Sequence, residues 1–206
     1  MSNSLIAEEL NTYPKEWGEL SNEKLADSEC PNLAGSYHEQ GLVYQTINGK
    51  EDTTPPQASS HRITPGNFIK TTNNNEDVDF YIYSFTITQN NPELLNVIRS
   101  ELTKNSYSIV TTHLDRKIGD FNCNNGWVVY SPSAYQGGSE GHSIKSNYEA
   151  KLTKLIDGSL LFYYKDKTSR RDMLVFNKNR NSVGYIKYLP SNPNPSFKQD
   201  WLKPVP

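Results

Sequence analysis

A chain of 206 residues with 21 basic and 23 acidic side chains has a net charge of −2 and a pI near 6.1. It therefore lacks the overall basic footprint of a nucleic-acid or anionic-membrane binder, because phosphate binding demands a positive face. No apolar run approaches the roughly 20 residues that span a bilayer, and no membrane span is expected.

The mean hydropathy is low at −0.73, and 13 Tyr, 7 Phe and 3 Trp supply part of the missing aliphatic bulk. Such rings suit half-buried strands. An all-β barrel or sandwich commonly reaches this length as one unit, with a core large enough to need no staple.

The opening Met1-Ser2-Asn3-Ser4-Leu5-Ile6-Ala7-Glu8-Glu9 has no basic n-region and no apolar h-region, so no signal peptide is visible. Two placements follow. The protein is cytoplasmic if Met1 is native, and periplasmic or outer-membrane-anchored if a targeting segment has been removed. Residues 1–30 form an extended arm or tether. Leu5 to Leu10 has room for one helical turn, and Tyr13-Pro14 and Trp17-Gly18 oppose a longer helix. Tyr13 and Trp17 are the expected anchors, since free exposure of two large rings gains nothing.

A β-domain is expected over 31–190. Leu33 to Tyr44 patterns as one strand bent around Gly41, and residues 45–61 are loop-like. Ile63 to Thr71 is a weak segment, and Asn73-Asn74-Asn75-Glu76-Asp77 is a turn cluster. Val78 to Thr88 alternates with apolar residues in both sets, as a central strand would. Asn91 to Asn105 is open between helix, with Asn91 as cap and Pro92 at the first position, and strand.

Tyr107 to Leu114 is β-branched and strand-like, and Trp127 to Tyr130 is a short buried strand. Ala134 to Ser146 is expected as a glycine-rich loop. Asp157-Gly158 turns Tyr148–Ile156 back into Ser159–Tyr164 as a hairpin. Met173–Phe176 and Gly184–Leu189 complete a meander. The proline-rich tail, 191–206, offers Phe197 and Trp201 for docking.

Little in the sequence points to chemistry. His38, His61, His113 and His142 have no metal spacing, and His38-Glu39 would point to opposite faces of a strand. Gln136-Gly137-Gly138-Ser139-Glu140-Gly141 before His142 is neither a phosphate loop nor a nucleophile elbow. Lys165-Asp166-Lys167-Thr168-Ser169-Arg170-Arg171-Asp172 is expected as a solvated hairpin tip. Cys123 near Asp120 carries no nucleophile signature. No catalytic residue, metal or cofactor is called for. Cys30 and Cys123, each beside a glycine-and-aromatic segment, are either buried thiols or a disulfide joining the first strand to one in the middle. Their context favours the disulfide, and with it an oxidising compartment.

Tyr13-Pro14-Lys15-Glu16-Trp17, Cys30-Pro31-Asn32-Leu33-Ala34-Gly35-Ser36-Tyr37, Gly119-Asp120-Phe121-Asn122-Cys123-Asn124-Asn125-Gly126-Trp127 and Asp157-Gly158-Ser159-Leu160 occur in an order that resembles a group of uncharacterised bacterial envelope lipoproteins. The resemblance implies a lipid anchor upstream of this chain and a β-meander core, which tips 91–105 towards strand. It implies no activity. The fold expected is all-β, a single antiparallel curved sheet or lipocalin-like barrel of about eight strands. The expected function is non-catalytic, in partner binding or cell-surface assembly at the envelope. Tyr13, Trp17, Trp127 and Trp201 are the candidate docking residues, and the partner is an envelope protein. The alternative is a carrier holding a small apolar ligand in an aromatic-lined barrel cavity.

Overall fold

The computed structural model describes residues 13–21, 29–38, 41–52, 81–102, 107–130, 133–139, 142–172 and 176–191. Among them the chain is all-β, with two single 3-10 turns at Lys15–Trp17 and Arg116–Ile118. The twelve strands are β1 (Gly35–His38), β2 (Leu42–Ile47), β3 (Lys50–Asp52), β4 (Tyr81–Asn91), β5 (Leu94–Leu102), β6 (Tyr107–Asp115), β7 (Phe121–Asn124), β8 (Trp127–Tyr130), β9 (Ser133–Ser139), β10 (His142–Lys154), β11 (Leu160–Asp172) and β12 (Phe176–Tyr188). They form a four-stranded sheet in the order β1-β4-β5-β6 and an eight-stranded sheet in the order β3-β2-β12-β11-β10-β8-β7, with β9 also on β10. Every strand pairing is antiparallel.

The sheets pack face to face because each strand buries alternate residues. Leu33, Tyr37, Phe85, Ile87, Leu95 and Val97 on the small-sheet side meet Val128, Leu152, Leu160, Phe162, Ile186 and Tyr188 from the large sheet in one core. On one side the sheets are also stitched. The chain leaving β12 runs back along β1, where the amide of His38 donates to the Leu189 carbonyl (2.9 Å) and that of Ser191 to the Ser36 carbonyl (2.8 Å). On the other side no ladder joins β6 to β7 among the described residues. The molecule is thus an open sandwich of curved sheets. Of the two forms expected, a curved antiparallel sheet or a barrel, the curved-sheet form is found, here as two sheets, and no closed barrel forms among the described residues.

Several local expectations are corrected by the strand assignments. Leu33 to Tyr44 is two strands in different sheets, β1 and β2. The stretch after Gln45 is a hairpin from β2 to β3, turning at Asn48 (φ 51°) and Gly49 (φ 76°). Positive φ at both turn residues is the arrangement that matches strand twist, and Asn125-Gly126 repeats it between β7 and β8 with φ 49° and 73°. The glycine-rich segment at 133–139 is β9, paired with β10. Lys165–Asp172 is the far half of β11, flanked on both sides by β10 and β12, and is no hairpin tip.

The segment at 94–102 is strand, between β4 and β6. Asp157-Gly158 does turn a hairpin: Gly158 takes φ 83°, and Leu155 N–H donates to the Ser159 carbonyl (2.8 Å). The strands it joins run to 13 residues each, beyond the expected bounds. The expectations at 5–10, 63–71, 73–77, His61, Phe197 and Trp201 lie outside the described residues, as do the tail beyond 191 and residues 78–80 and 173–175.

Candidate functional site

The outer face of the large sheet, opposite the core, gathers most of the candidate docking residues. Its registers place Tyr44, Tyr185, Tyr163 and Lys151 side by side on β2, β12, β11 and β10, with Val129 of β8 next in line. Neighbouring strands lie about 4.8 Å apart, so these side chains stand in a row across the sheet. Trp17, Leu155, Leu161 and Tyr185 form the buried part of this cluster, and Tyr13, Leu20, Tyr44, Trp127 and Tyr163 pack around it half-buried.

Residues 13–21 lie along the hairpin side of this row, from Tyr185 on β12 to Leu155 just past β10. Trp17 is buried, and Tyr13 meets Tyr185 edge to face with ring centroids 5.8 Å apart. Leu20 bridges Leu155 in a short antiparallel pairing. Around it, Ser21 N–H donates to the Lys154 carbonyl (2.9 Å) and Ile156 N–H to the Glu19 carbonyl (3.0 Å). Lys187 fastens the centre. Its side chain is buried, and Nζ donates to the Trp17 carbonyl and to Asp157 Oδ2, both at 2.7 Å. Burial pushes the Asp157 carboxyl up, yet hydrogen bonds from Lys187 and Ser159 outweigh this and hold it below its ordinary value.

Within the row, on β10, Lys151 lies between two rings, with Nζ 4.6 Å from the centroids of both Trp127 and Tyr163. A cation over ring faces is attracted by their quadrupoles, more so when desolvated. Burial lowers the Lys151 ammonium below its ordinary range, and the Glu149 carboxylate only partly opposes this. The Tyr185 hydroxyl is pushed up to about 12, chiefly by burial and further by Tyr163 and Tyr13. It stays protonated at neutral pH.

The cysteines lie elsewhere. Cys30 and Cys123 form a disulfide with their Cα atoms 5.1 Å apart. It ties the segment before β1 to β7, the last strand of the large sheet. The bond therefore links the start of the β-domain to a strand midway along the chain, as expected. Arg116 borders it, with Nη1 3.6 Å from Cys30 Sγ and 3.5 Å from Glu93 Oε1, and Nη2 donating to Asn122 Oδ1 (3.3 Å). Cys123 offers no free thiol.

Three of the four candidate docking residues, Tyr13, Trp17 and Trp127, thus share one face, and Trp201 lies outside the described residues. Sequence reasoning missed Lys151, Tyr163, Tyr185, Lys187 and Asp157 as members. The signal was present in the hairpin, whose register sets Lys151 opposite Tyr163. Among the described residues, no group of three or more His, Cys, Asp or Glu is placed to hold a metal ion, and no helix is long and apolar enough to cross a membrane. His113 sits on β6, where Nδ1 is 2.6 Å from Asn96 Oδ1. No family model, curated protein or solved structure matches the chain.

Proposed function

We propose that this is a non-catalytic protein of the bacterial cell envelope that binds a partner through the outer face of its large sheet, held at the envelope by a lipid anchor upstream of this chain. The observation that carries the reading is the Cys30–Cys123 bond, because such bonds persist in oxidising compartments and are rare where thiols are kept reduced. The resemblance of the segments around both cysteines to envelope lipoproteins points the same way. The half-exposed Trp127–Lys151–Tyr163 group supports the binding role, since aromatic residues are favoured at interfaces.

The carrier reading needed a closed barrel with a cavity. The sheets instead enclose fully buried side chains such as Leu33, Leu152, Leu160 and Phe162, and nothing favours that reading here. Thiol trapping tests the proposal. Cells are lysed into acid, blocked with a maleimide, reduced, and labelled with a second maleimide of different mass. Two cysteines labelled only after reduction are expected. Two thiols blocked at the first step would remove the envelope reading.

A further inference from the structure

Charge is unevenly spread over the outer face. Beyond the aromatic row, the far halves of β10 and β11 carry Lys145, Glu149, Lys165, Lys167 and Arg171 on that face, since each pairs in register with an outward position. Glu149 stands opposite Lys165, which leaves Lys145, Lys167 and Arg171. All three are exposed, and none has an ion-pair partner among the described residues. Lys145 faces Ser169, so Lys167 and Arg171 lie diagonally on either side of it, about 7–8 Å away by sheet geometry. A zigzag of three cations on adjacent strands costs stability through repulsion. A bound anion would turn that cost into affinity.

The residues between the cations define the partner further. Asn147 and Asn181 flank Lys167, and Gln136, Ser169 and Asn179 share the row of Lys145. These are exposed amides and a hydroxyl, able to donate and to accept. No apolar side chain stands among them in the described residues. That composition lacks the buried aromatic or apolar anchors of a protein hot spot and the apolar wedge of a membrane-seated surface. It suits a chain that is itself charged and rich in hydroxyls.

We propose that the far half of the outer face, centred on Lys145, Lys167 and Arg171, binds an anionic glycan: a polyhydroxylated polymer bearing carboxylate, sulfate or phosphate groups. The cations pair with its charges, and Asn147, Asn179, Asn181 and Gln136 hydrogen-bond its hydroxyls. The choice of a glycan over a nucleic acid rests on the envelope reading.

Binding of fluorescent dextran sulfate and polygalacturonate is followed by anisotropy over a salt series, with unmodified dextran, an oligothymidylate and phosphatidylglycerol vesicles in parallel. The intact chain is expected to bind both anionic polymers and not dextran. The K145Q/K167Q/R171Q variant should bind at least tenfold more weakly, with a log–log salt slope shallower by about three, one unit per cation removed. Its circular dichroism should match wild type because all three side chains are exposed, and K117Q, an exposed lysine off this face, should bind normally. Unchanged binding by the triple variant, equal binding of dextran, or tighter binding of the oligonucleotide or vesicles would each overturn the assignment. Thiol trapping fails separately. Bonded cysteines with no polymer binding sink this inference alone, and free cysteines with polymer binding sink the compartment alone.

Discussion

The two faces of the large sheet use the same strands for opposite purposes. Leu160, Phe162 and Tyr164 of β11 point inward to the core, while Leu161 and Tyr163 point outward. The inner face is closed by a second sheet and by a disulfide spanning 93 residues. The outer face is covered at one end by a nine-residue strap, bared to half-buried rings in the middle and cationic at the far end. Packing on the inner face is non-local, so its loss is felt by the whole fold. On the outer face the strap is held by one buried ring and a handful of polar bonds, so its loss should stay local.

The sharpest tests of that contrast lie on the inner side. Replacing both Cys30 and Cys123 by Ala should cost about 4–5 kcal/mol in the chain-entropy account of a loop this long. Urea unfolding measures it, and a loss under about 1 kcal/mol would mean that packing alone holds the segment before β1 against β7. Phe162→Ala should cost about 3–5 kcal/mol by the same measurement, because a fully buried ring leaves a cavity. Its neighbour supplies the control: Tyr163→Ala, on the half-buried outer face, should cost only about 1 kcal/mol while abolishing one side of the Lys151 contact. Equal costs at 162 and 163 would erase the distinction between the faces.

Trp17→Ala comes between these two, at about 2 kcal/mol for the lost burial of a large ring. Its diagnostic effect is local. Limited proteolysis should cut near residues 13–21 while the sandwich stays intact, and cutting throughout the chain would show that the strap is part of the core.

How much of this was legible depended on the range of the signal. The hairpin at Asp157-Gly158 was legible because turn chemistry and flanking alternation agree within a few residues. The paired cysteines were legible as partners by their matching surroundings. Alternation left curved sheet and barrel both open because closure depends on whether β6 and β7 pair, a long-range matter that it does not encode. The division of Leu33–Tyr44 between two sheets is likewise set by partners far along the chain, β4 for one half and β12 for the other.

Gly184 shows the same limit. A Cβ there would come within 2.7 Å of Gln45 Cβ and 2.9 Å of Tyr164 Oη. Its absence lets the Tyr164 hydroxyl donate across β12 to Gln45 Oε1. A lone glycine in a strand announces a close approach but not which residue approaches. The cation zigzag was hidden for a simpler reason. Lys145 is far in sequence from Lys167 and Arg171, and only the register brings them together.

The smallest expected effect sits at the strap's fastening. Asp157 accepts from Lys187 Nζ, which also holds the Trp17 carbonyl. Its folded carboxyl is held below the ordinary 3.8, so the unfolded chain binds its proton first as pH drops. The contact's contribution is therefore complete above the ordinary carboxylate range and is lost as pH falls through the depressed folded value. Because half of the Asp157 side chain is exposed, solvent screening keeps the contribution under about 1 kcal/mol. Asp157→Asn keeps a hydrogen-bond acceptor and removes the charge. The stability gap between wild type and this variant should be measurable by urea unfolding at pH 6 and smaller at pH 3, where the unfolded carboxyl has begun to take up its proton. A gap unchanged between those two conditions would assign the fastening to hydrogen-bond geometry, with the charge contributing nothing. The strap would then hold equally well in acid, and the outer face would stay covered across the whole range.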